Sequence, residues 1–342
     1  IALLQGNIDN AMYRTAEMAA ASFAQYKQLS QRAAREADLV VWPEASCPLP
    51  LYDIRSRFVP ENWRRQPEAA IAEMLRDTLD RNHSALMDLA GPDQASLLLG
   101  VTTSVFGQGT TPGAVVRRNS AVLVDPEEGV GPRYDKVNLA PFIEYSPLPR
   151  LFPAGYTYRS SFTAGDRIPA FPIRSHRGTS TEPTVGNRIE GPTSPSSSLW
   201  AAVNICYDST LPHFIRRQVQ TLNREGRSPD LLINLSNDIS FRFSLLGDLH
   251  LATHVFRAIE NRKPYLCATN AGYSAWIDSA GRIVKKGGKG AATYVVVEVC
   301  PEPTTSLYLY WGDWLPICCM CFIVFVILWC AIPVRDDRVP TQ

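Results

Sequence analysis

The chain has 342 residues, 45% hydrophobic and 20% charged, with 34 Lys and Arg against 33 Asp and Glu. That is ordinary globular composition, long enough to bury a sizeable core. Near-zero net charge, with no basic run interleaved with aromatics, excludes a dedicated nucleic-acid surface.

"IALLQGNI" at residues 1–8 reads as a strand. It begins on Ile with no signal peptide ahead of it, so the chain reads as a fragment or a processed product. Residues 11–37 carry apolar residues at helical spacing. "DLVVWPE" is a buried strand whose Pro-punctuated end presents Glu44, and "SCPLP" behind it reads as a Pro-rich turn holding Cys47. Residues 64–90 read as a second helix, then "SLLLGVTTSV" and "RRNSAVLVD" as strands. "RYDKVNLAPFIEYSP" presents Lys136 and Glu144 at what the pattern treats as another apolar strand end. Residues 176–198, rich in Ser, Thr, Pro and Gly, form a flexible insertion. "LWAAVNICYD" is a strand running into Cys206. Helices are expected over 211–225 and 244–262, with strands at "DLLINLSND", "YLCATNA", "SAWIDSAG" and "ATYVVVEV". This is an α/β pattern whose continuous apolar strands belong under helices.

Residues 315–332, "LPICCMCFIVFVILWCAI", contain no charge. At about 1.5 Å per residue the run crosses most of a roughly 30 Å hydrocarbon core. Trp311, Trp314 and Trp329 flank it, and Arg335 and Arg338 follow. The reading is a catalytic domain over 1–310, a transmembrane helix over 311–332 and a cytoplasmic tail over 333–342. The competing reading is a buried core helix.

Eight cysteines do not make a disulfide scaffold here. Cys318, Cys319, Cys321 and Cys330 lie in the apolar run, while Cys47, Cys206, Cys267 and Cys300 are scattered. No CxxC pair has a matching His or Cys pair, so no zinc site is expected; a disulfide among the scattered four stays open. His250 and His254 share a helix face, but Leu251 stands where a metalloprotease helix needs Glu. There is no G-x-S-x-G elbow.

What remains is three strand ends that carry Glu44, Lys136 with Glu144, and Cys206. A thiolate nucleophile needs a base for its proton and a cation or backbone donors for the oxyanion. Glu, Lys and Cys fill those roles without histidine. Taken singly, each has a bland reading: a core thiol, a loop carboxylate, a solvated lysine. Cys47 competes as the nucleophile.

The motifs "VVWPEAS", "YDKVNLAPFIEYSP" and "ICYD", with "LLINLSNDISF" and "HLATHVFRAIENRKPYLCATNAGYSAWID" downstream, resemble the nitrilase (carbon–nitrogen hydrolase) superfamily. Within it they resemble the apolipoprotein N-acyltransferase branch of bacterial envelopes. The resemblance implies a nitrilase-type α-β-β-α sandwich with a C-terminal transmembrane helix. It implies Cys206 as nucleophile, Glu44 as general base, Lys136 as oxyanion stabiliser and Glu144 as the group orienting Lys136. Tyr207, Asp208, Asn237 and Asp238 would shape the substrate pocket. No cofactor and no metal are implied. The partners implied are a phospholipid acyl donor and a diacylglyceryl lipoprotein acceptor. The place implied is the bacterial inner membrane, with the catalytic domain facing the periplasm and further membrane helices upstream. Two departures stand out: Asp208 where the branch often has Glu, and Ser240 where it commonly has Trp. The alternatives are a carbon–nitrogen hydrolase using the same triad on a small substrate, and a catalytically dead membrane-tethered scaffold.

Overall fold

The computed structural model describes residues 1–9, 15–54, 68–90, 95–106, 115–145, 162–175, 199–241, 244–300 and 304–331. The expected insertion at 176–198, the tail at 333–342 and the first residues of both N-terminal helical segments lie outside them.

Alternation along the strands assigns each side chain to one of two cores. In β1 (Ala2–Gln5), Leu3 enters one buried cluster while Ala2 and Leu4 enter the other. In β2 (Leu39–Val41), Leu39 and Val41 divide from Val40 in the same way. A strand whose two faces are both apolar must be covered on both sides. One cover is helical: α1 (Ala16–Ala33) supplies Tyr26, Leu29 and Ala33, and α2 (Glu68–Ala90) supplies Leu86, Leu89 and Ala90. The other cover is a second sheet.

The first sheet takes β3 (Cys47–Ile54), β4 (Ser96–Phe106), β5 (Val115–Asp125) and β6 (Gly129–Asp135) as well. The second contains β7 (Ala170–Ile173), β8 (Leu199–Ile205), β9 (Leu231–Ser236), β10 (Tyr265–Thr269), β11 (Ala275–Ile277) and β12 (Ile283–Lys286). β13 (Thr293–Val296) returns to pair with β1. The strand orders are β13-β1-β2-β4-β5-β6, with β3 on β4, and β12-β11-β10-β9-β8-β7. Two helices cover the outer face of the second sheet: α3 (Pro212–Arg224), through Phe214, Ile215, Val219 and Leu222, and α4 (Leu246–Asn261), through Leu251 and Ala258. The result is the expected α-β-β-α sandwich.

Several expectations need correction. Cys47 does not sit in a turn: it begins β3. Among the described residues that strand pairs with β4 alone and slips register between Cys47 and Leu51, so its prolines cost no ladder bond on a further described strand. The strand leading to Lys136 is not an apolar run but "GVGPRYD" on an edge of the sheet. β7 and β12 were not anticipated; β12, "IVKK", is an exposed edge strand. All eight cysteines are free, which removes the disulfide left open above.

At the C-terminal end, α5 (Leu307–Trp311) is held on α3. Arg216 Nε donates to the carbonyls of Tyr308 and Leu309 at 2.8 and 3.0 Å, and Gln220 Nε2 donates to Leu309 O at 2.7 Å. α6 (Trp314–Ala331) follows, with every described side chain exposed, so it is not a core helix. Among the described residues no helix is long and apolar enough to cross a membrane. α6 spans about 27 Å for its 18 residues, just under a roughly 30 Å hydrocarbon core.

Candidate active site

Glu44 stands on the loop leaving β2. Gly100 on β4 lets that loop lie against the sheet, since a Cβ there would meet Pro43 O at 2.1 Å and the Glu44 Cα at 2.8 Å. Lys136 follows β6, its N–H donating to Asn119 O at 2.8 Å and its carbonyl accepting from Gly165 N at 2.8 Å. Glu144 sits in the next turn, where its Oε2 accepts from Ala140 N at 2.7 Å.

These three residues are buried and converge. Lys136 Nζ lies 3.1 Å from Glu44 Oε1 and 2.8 Å from Glu144 Oε2. Asn119 Nδ2 donates to Oε1 of both carboxylates, at 2.7 and 3.1 Å. Asn237 N donates to the other oxygen of Glu44 at 3.1 Å. Burial opposes the Lys136 ammonium, but the charges of Glu44, Cys206, Glu144 and Asp208 together raise its pKa above the ordinary lysine value. One cation is thus fixed between two carboxylates, as a buried ionic group requires.

Cys206 follows β8 directly and opens a five-residue 3₁₀ turn with φ +45°. A non-glycine residue in that region costs on the order of 1–3 kcal/mol, so the surroundings must hold it there. They do so from both sides. The Cys206 carbonyl accepts from Ser209 Oγ at 2.8 Å and from Asn234 Nδ2 at 3.4 Å. Asp208, fully buried, accepts from Ile205 N at 3.0 Å, from Asn138 N and Nδ2 at 2.9 Å, and from Tyr134 OH at 2.7 Å. Asp208 therefore ties the cysteine turn to the loop that follows Lys136. Burial still raises its pKa, with Lys136 and these donors opposing.

Cys206 is partly exposed as a residue, its thiol being set inward. Burial of the thiol and the Glu44 charge push its pKa above the ordinary thiol value, with Lys136 opposing. The sulfur thus feels a carboxylate that disfavours the thiolate and an ammonium that favours it. Cys47 has a different setting: it lies in the α1–α2 core, where burial pushes its thiol up to about 12 and the Leu49 backbone opposes.

The remaining sequence-predicted residues divide. Tyr207 is partly exposed beside the thiol, with its carbonyl taken by Thr210 Oγ1 at 2.8 Å. Asn237 reaches Glu44 through its backbone, while its side-chain oxygen accepts from Asn270 Nδ2 at 3.1 Å. Asp238 is buried and accepts from Ser236 Oγ at 2.7 Å and His250 Nδ1 at 3.0 Å. Sequence reasoning missed Asn119, Tyr134, Asn138, Ser209, Ser236 and His250. His250 had a signal, its i, i+4 spacing to His254, but both rings turn to Ser209 Oγ, at 3.1 and 3.2 Å. Among the described residues no cluster of three or more His, Cys, Asp or Glu could hold a metal.

A family model described as carbon-nitrogen hydrolase matches residues 1–307. The chain belongs to the carbon-nitrogen hydrolase family. Two solved structures share its fold. The C. elegans NitFhit protein matches with a TM-score of 0.52 at 18% identity, over 86% of this chain and 58% of that one. The carbon-nitrogen hydrolase of Helicobacter pylori G27 matches with a TM-score of 0.50 at 15% identity, over 86% of both chains. Among curated relatives, the apolipoprotein N-acyltransferase of Geobacter metallireducens is 28% identical over 285 residues, covering 83% of this chain and 44% of its own. That of Rhodopirellula baltica is 25% identical over 315 residues, covering 85% and 51%. The chain thus spans about half the length of the curated relatives it matches.

Proposed function

We propose that this chain carries the catalytic domain of an apolipoprotein N-acyltransferase. It would move a fatty acyl group from a phospholipid to the α-amine of an N-terminal S-diacylglyceryl cysteine. The observation that carries the reading is the Glu44–Lys136–Glu144 cluster beside a thiol on a strained strand end. The names of the curated relatives and the exposed apolar α6 favour this chemistry over hydrolysis of a small amide.

The raised thiol pKa shapes the first step. Glu44 takes the proton as sulfur attacks the phospholipid ester. Lys136 and the Tyr207 backbone N–H stabilise the oxyanion. The ester C–O bond breaks, Glu44 returns its proton to the departing oxygen, and a lysophospholipid leaves behind an acyl thioester. In the second half the lipoprotein amine attacks that thioester, Glu44 accepts its proton, and the amide forms as sulfur departs and is reprotonated. Glu144 and Asn119 hold Lys136 and Glu44 in register throughout. Excluding water from the thioester favours the amine over hydrolysis. On this reading α6 anchors the domain in the bacterial inner membrane, with the catalytic domain on the periplasmic face.

The test is mass spectrometry of the full chain in phospholipid. A fatty-acyl mass on the Cys206 peptide, discharged by a diacylglyceryl peptide amine and absent in Glu44→Gln, is expected. Turnover of small amides with no acyl mass from phospholipid would replace this reading with the hydrolase one.

A further inference from the structure

Behind Cys206 lies a buried chain of polar groups with no place in the steps above. Ser236 ends β9, next to the strand that leads to Cys206, and its hydroxyl favours the Cys206 thiolate. The same hydroxyl donates to Asp238 Oδ1 at 2.7 Å. That oxygen also meets His250 Nδ1 at 3.0 Å. His250 Nε2 meets Ser209 Oγ at 3.1 Å, and Ser209 Oγ lies 2.8 Å from the Cys206 carbonyl. The chain thus leaves Cys206 at its sulfur and returns to it at its backbone. Ser236 and Ser209 are fully buried, and Asp238 and His250 nearly so.

Counting protons fixes the state of His250. A carbonyl oxygen only accepts, so the single Ser209 hydroxyl proton goes to Cys206 O. Ser209 Oγ can then only accept from the rings, and His250 Nε2 must carry a proton. Asp238 Oδ1 only accepts as well, so His250 Nδ1 must also carry one. His254 completes the count. Its Nε2 donates to the same Ser209 oxygen at 3.2 Å, and its Nδ1 has no partner, so it is neutral.

We propose that His250 is a permanent imidazolium paired with Asp238, and that this pair is a positioning device for the Cys206 nucleophile. The inference rests on Cys206 being that nucleophile. The pair has two effects. Asp238 is a negative charge acting against the thiolate, and the His250 cation cancels it. His250 on the same Asp238 oxygen also weakens that oxygen's hold on the one Ser236 proton, which can then turn towards sulfur as the thiolate forms. Gly272 allows the packing: a Cβ there would stand 2.4 Å from Asp238 Oδ2.

The other charges around His250 agree. Burial opposes its cation, but the charge and hydrogen bond of Asp238 outweigh burial, with the Cys206 backbone and Glu44 adding to them. His254, 4.7 Å away ring to ring, is driven well below the ordinary histidine value by burial, then by His250 and Arg257. Arg257 itself is spent on Ser209 O at 3.3 Å and Glu260 Oε1 at 2.6 Å.

Two measurements on the full chain test this. In ¹⁵N-histidine spectra, one ring should show both nitrogens protonated from pH 6 to pH 8, and that signal should vanish in His250→Gln. A neutral His250 at pH 7 overturns the proposal and needs no variant to fold. The second measurement is iodoacetamide alkylation, read on the Cys206 peptide. His250→Gln leaves the Asp238 charge uncancelled, so alkylation should slow about tenfold, the effect of one unit in thiol pKa. Adding Asp238→Asn should recover most of that loss, which a purely structural role would not do. Equal rates in wild type and His250→Gln, or no recovery in the double variant, overturn it. An acyl group found on a cysteine other than Cys206 instead removes the functional reading beneath it.

Discussion

Lys136→Met keeps the length of the side chain and removes its charge. Nζ lies 3.1 Å from a Glu44 oxygen and 2.8 Å from a Glu144 oxygen, and both carboxylates are buried. The two oxygens are therefore within about 6 Å of each other, and at an effective dielectric of about 20 two unit charges at that separation repel by about 3 kcal/mol. Asn119 still donates to both, but a neutral amide cannot replace the ammonium. Removing one partner of a buried pair costs about 3–5 kcal/mol, so the variant should lose that much in chemical denaturation of the full chain in detergent. Adding Glu144→Gln removes the repulsion and should restore about 2–3 kcal/mol, a coupling that a double-mutant cycle reads directly. Acyl transfer should fall by about 10²–10³ in Lys136→Met and stay there in the double variant, because the oxyanion donor is still missing. If Lys136→Met unfolds within about 1 kcal/mol of wild type, or the cycle shows no coupling, the cluster is not the ionic unit described here.

Cys206→Ser should abolish acyl transfer without unfolding the domain, since a hydroxyl is far harder for Glu44 to deprotonate; substantial residual transfer would move the nucleophile elsewhere. Gly100→Ala should cost about 1–3 kcal/mol of stability through overpacking against Pro43 O and cut transfer by displacing Glu44; a variant with wild-type turnover contradicts the close approach. The raised Cys206 pKa leaves little thiolate at neutral pH, so alkylation at the Cys206 peptide should keep climbing above the point near pH 8.5 where a free thiol levels off. A plateau below pH 8 would mean a preformed thiolate and remove the need for Glu44 as base.

Much of the fold was legible because its central strands are apolar on both faces. β2, β4, β8, β9 and β10 read as continuous apolar runs; β2, β9 and β10 are buried throughout, and β4 and β8 over most of their length. The edges were not legible. β3 carries two prolines, β6 a glycine pair and a proline, and β12 two lysines, residues that edge strands accept and central strands refuse. At the site, Glu44, Lys136 and Cys206 could be named because each follows a strand and sits in a motif. Asn119 could not: it is one polar residue inside β5, and its task of bridging two carboxylates exists only once Glu44 and Glu144 arrive from distant segments. His250 was visible through its spacing to His254 and a metal there was set aside, but its partners were not legible, because helical spacing says which residues share a face and not what lies opposite them.

The pairing of the first strand with the last makes the sandwich a closed loop of polypeptide. Ile1 and Val297 exchange backbone hydrogen bonds at 2.9 and 2.8 Å, and β1 runs antiparallel to β13 from there. Residues 1 and 297 are thus one strand spacing apart, about 5 Å, although the chain runs on from β13 to α5 on α3. A pull applied between residues 1 and 297 would unzip β1 from β13 one bond at a time before it reached Cys206, with α5 still held by Arg216 and Gln220.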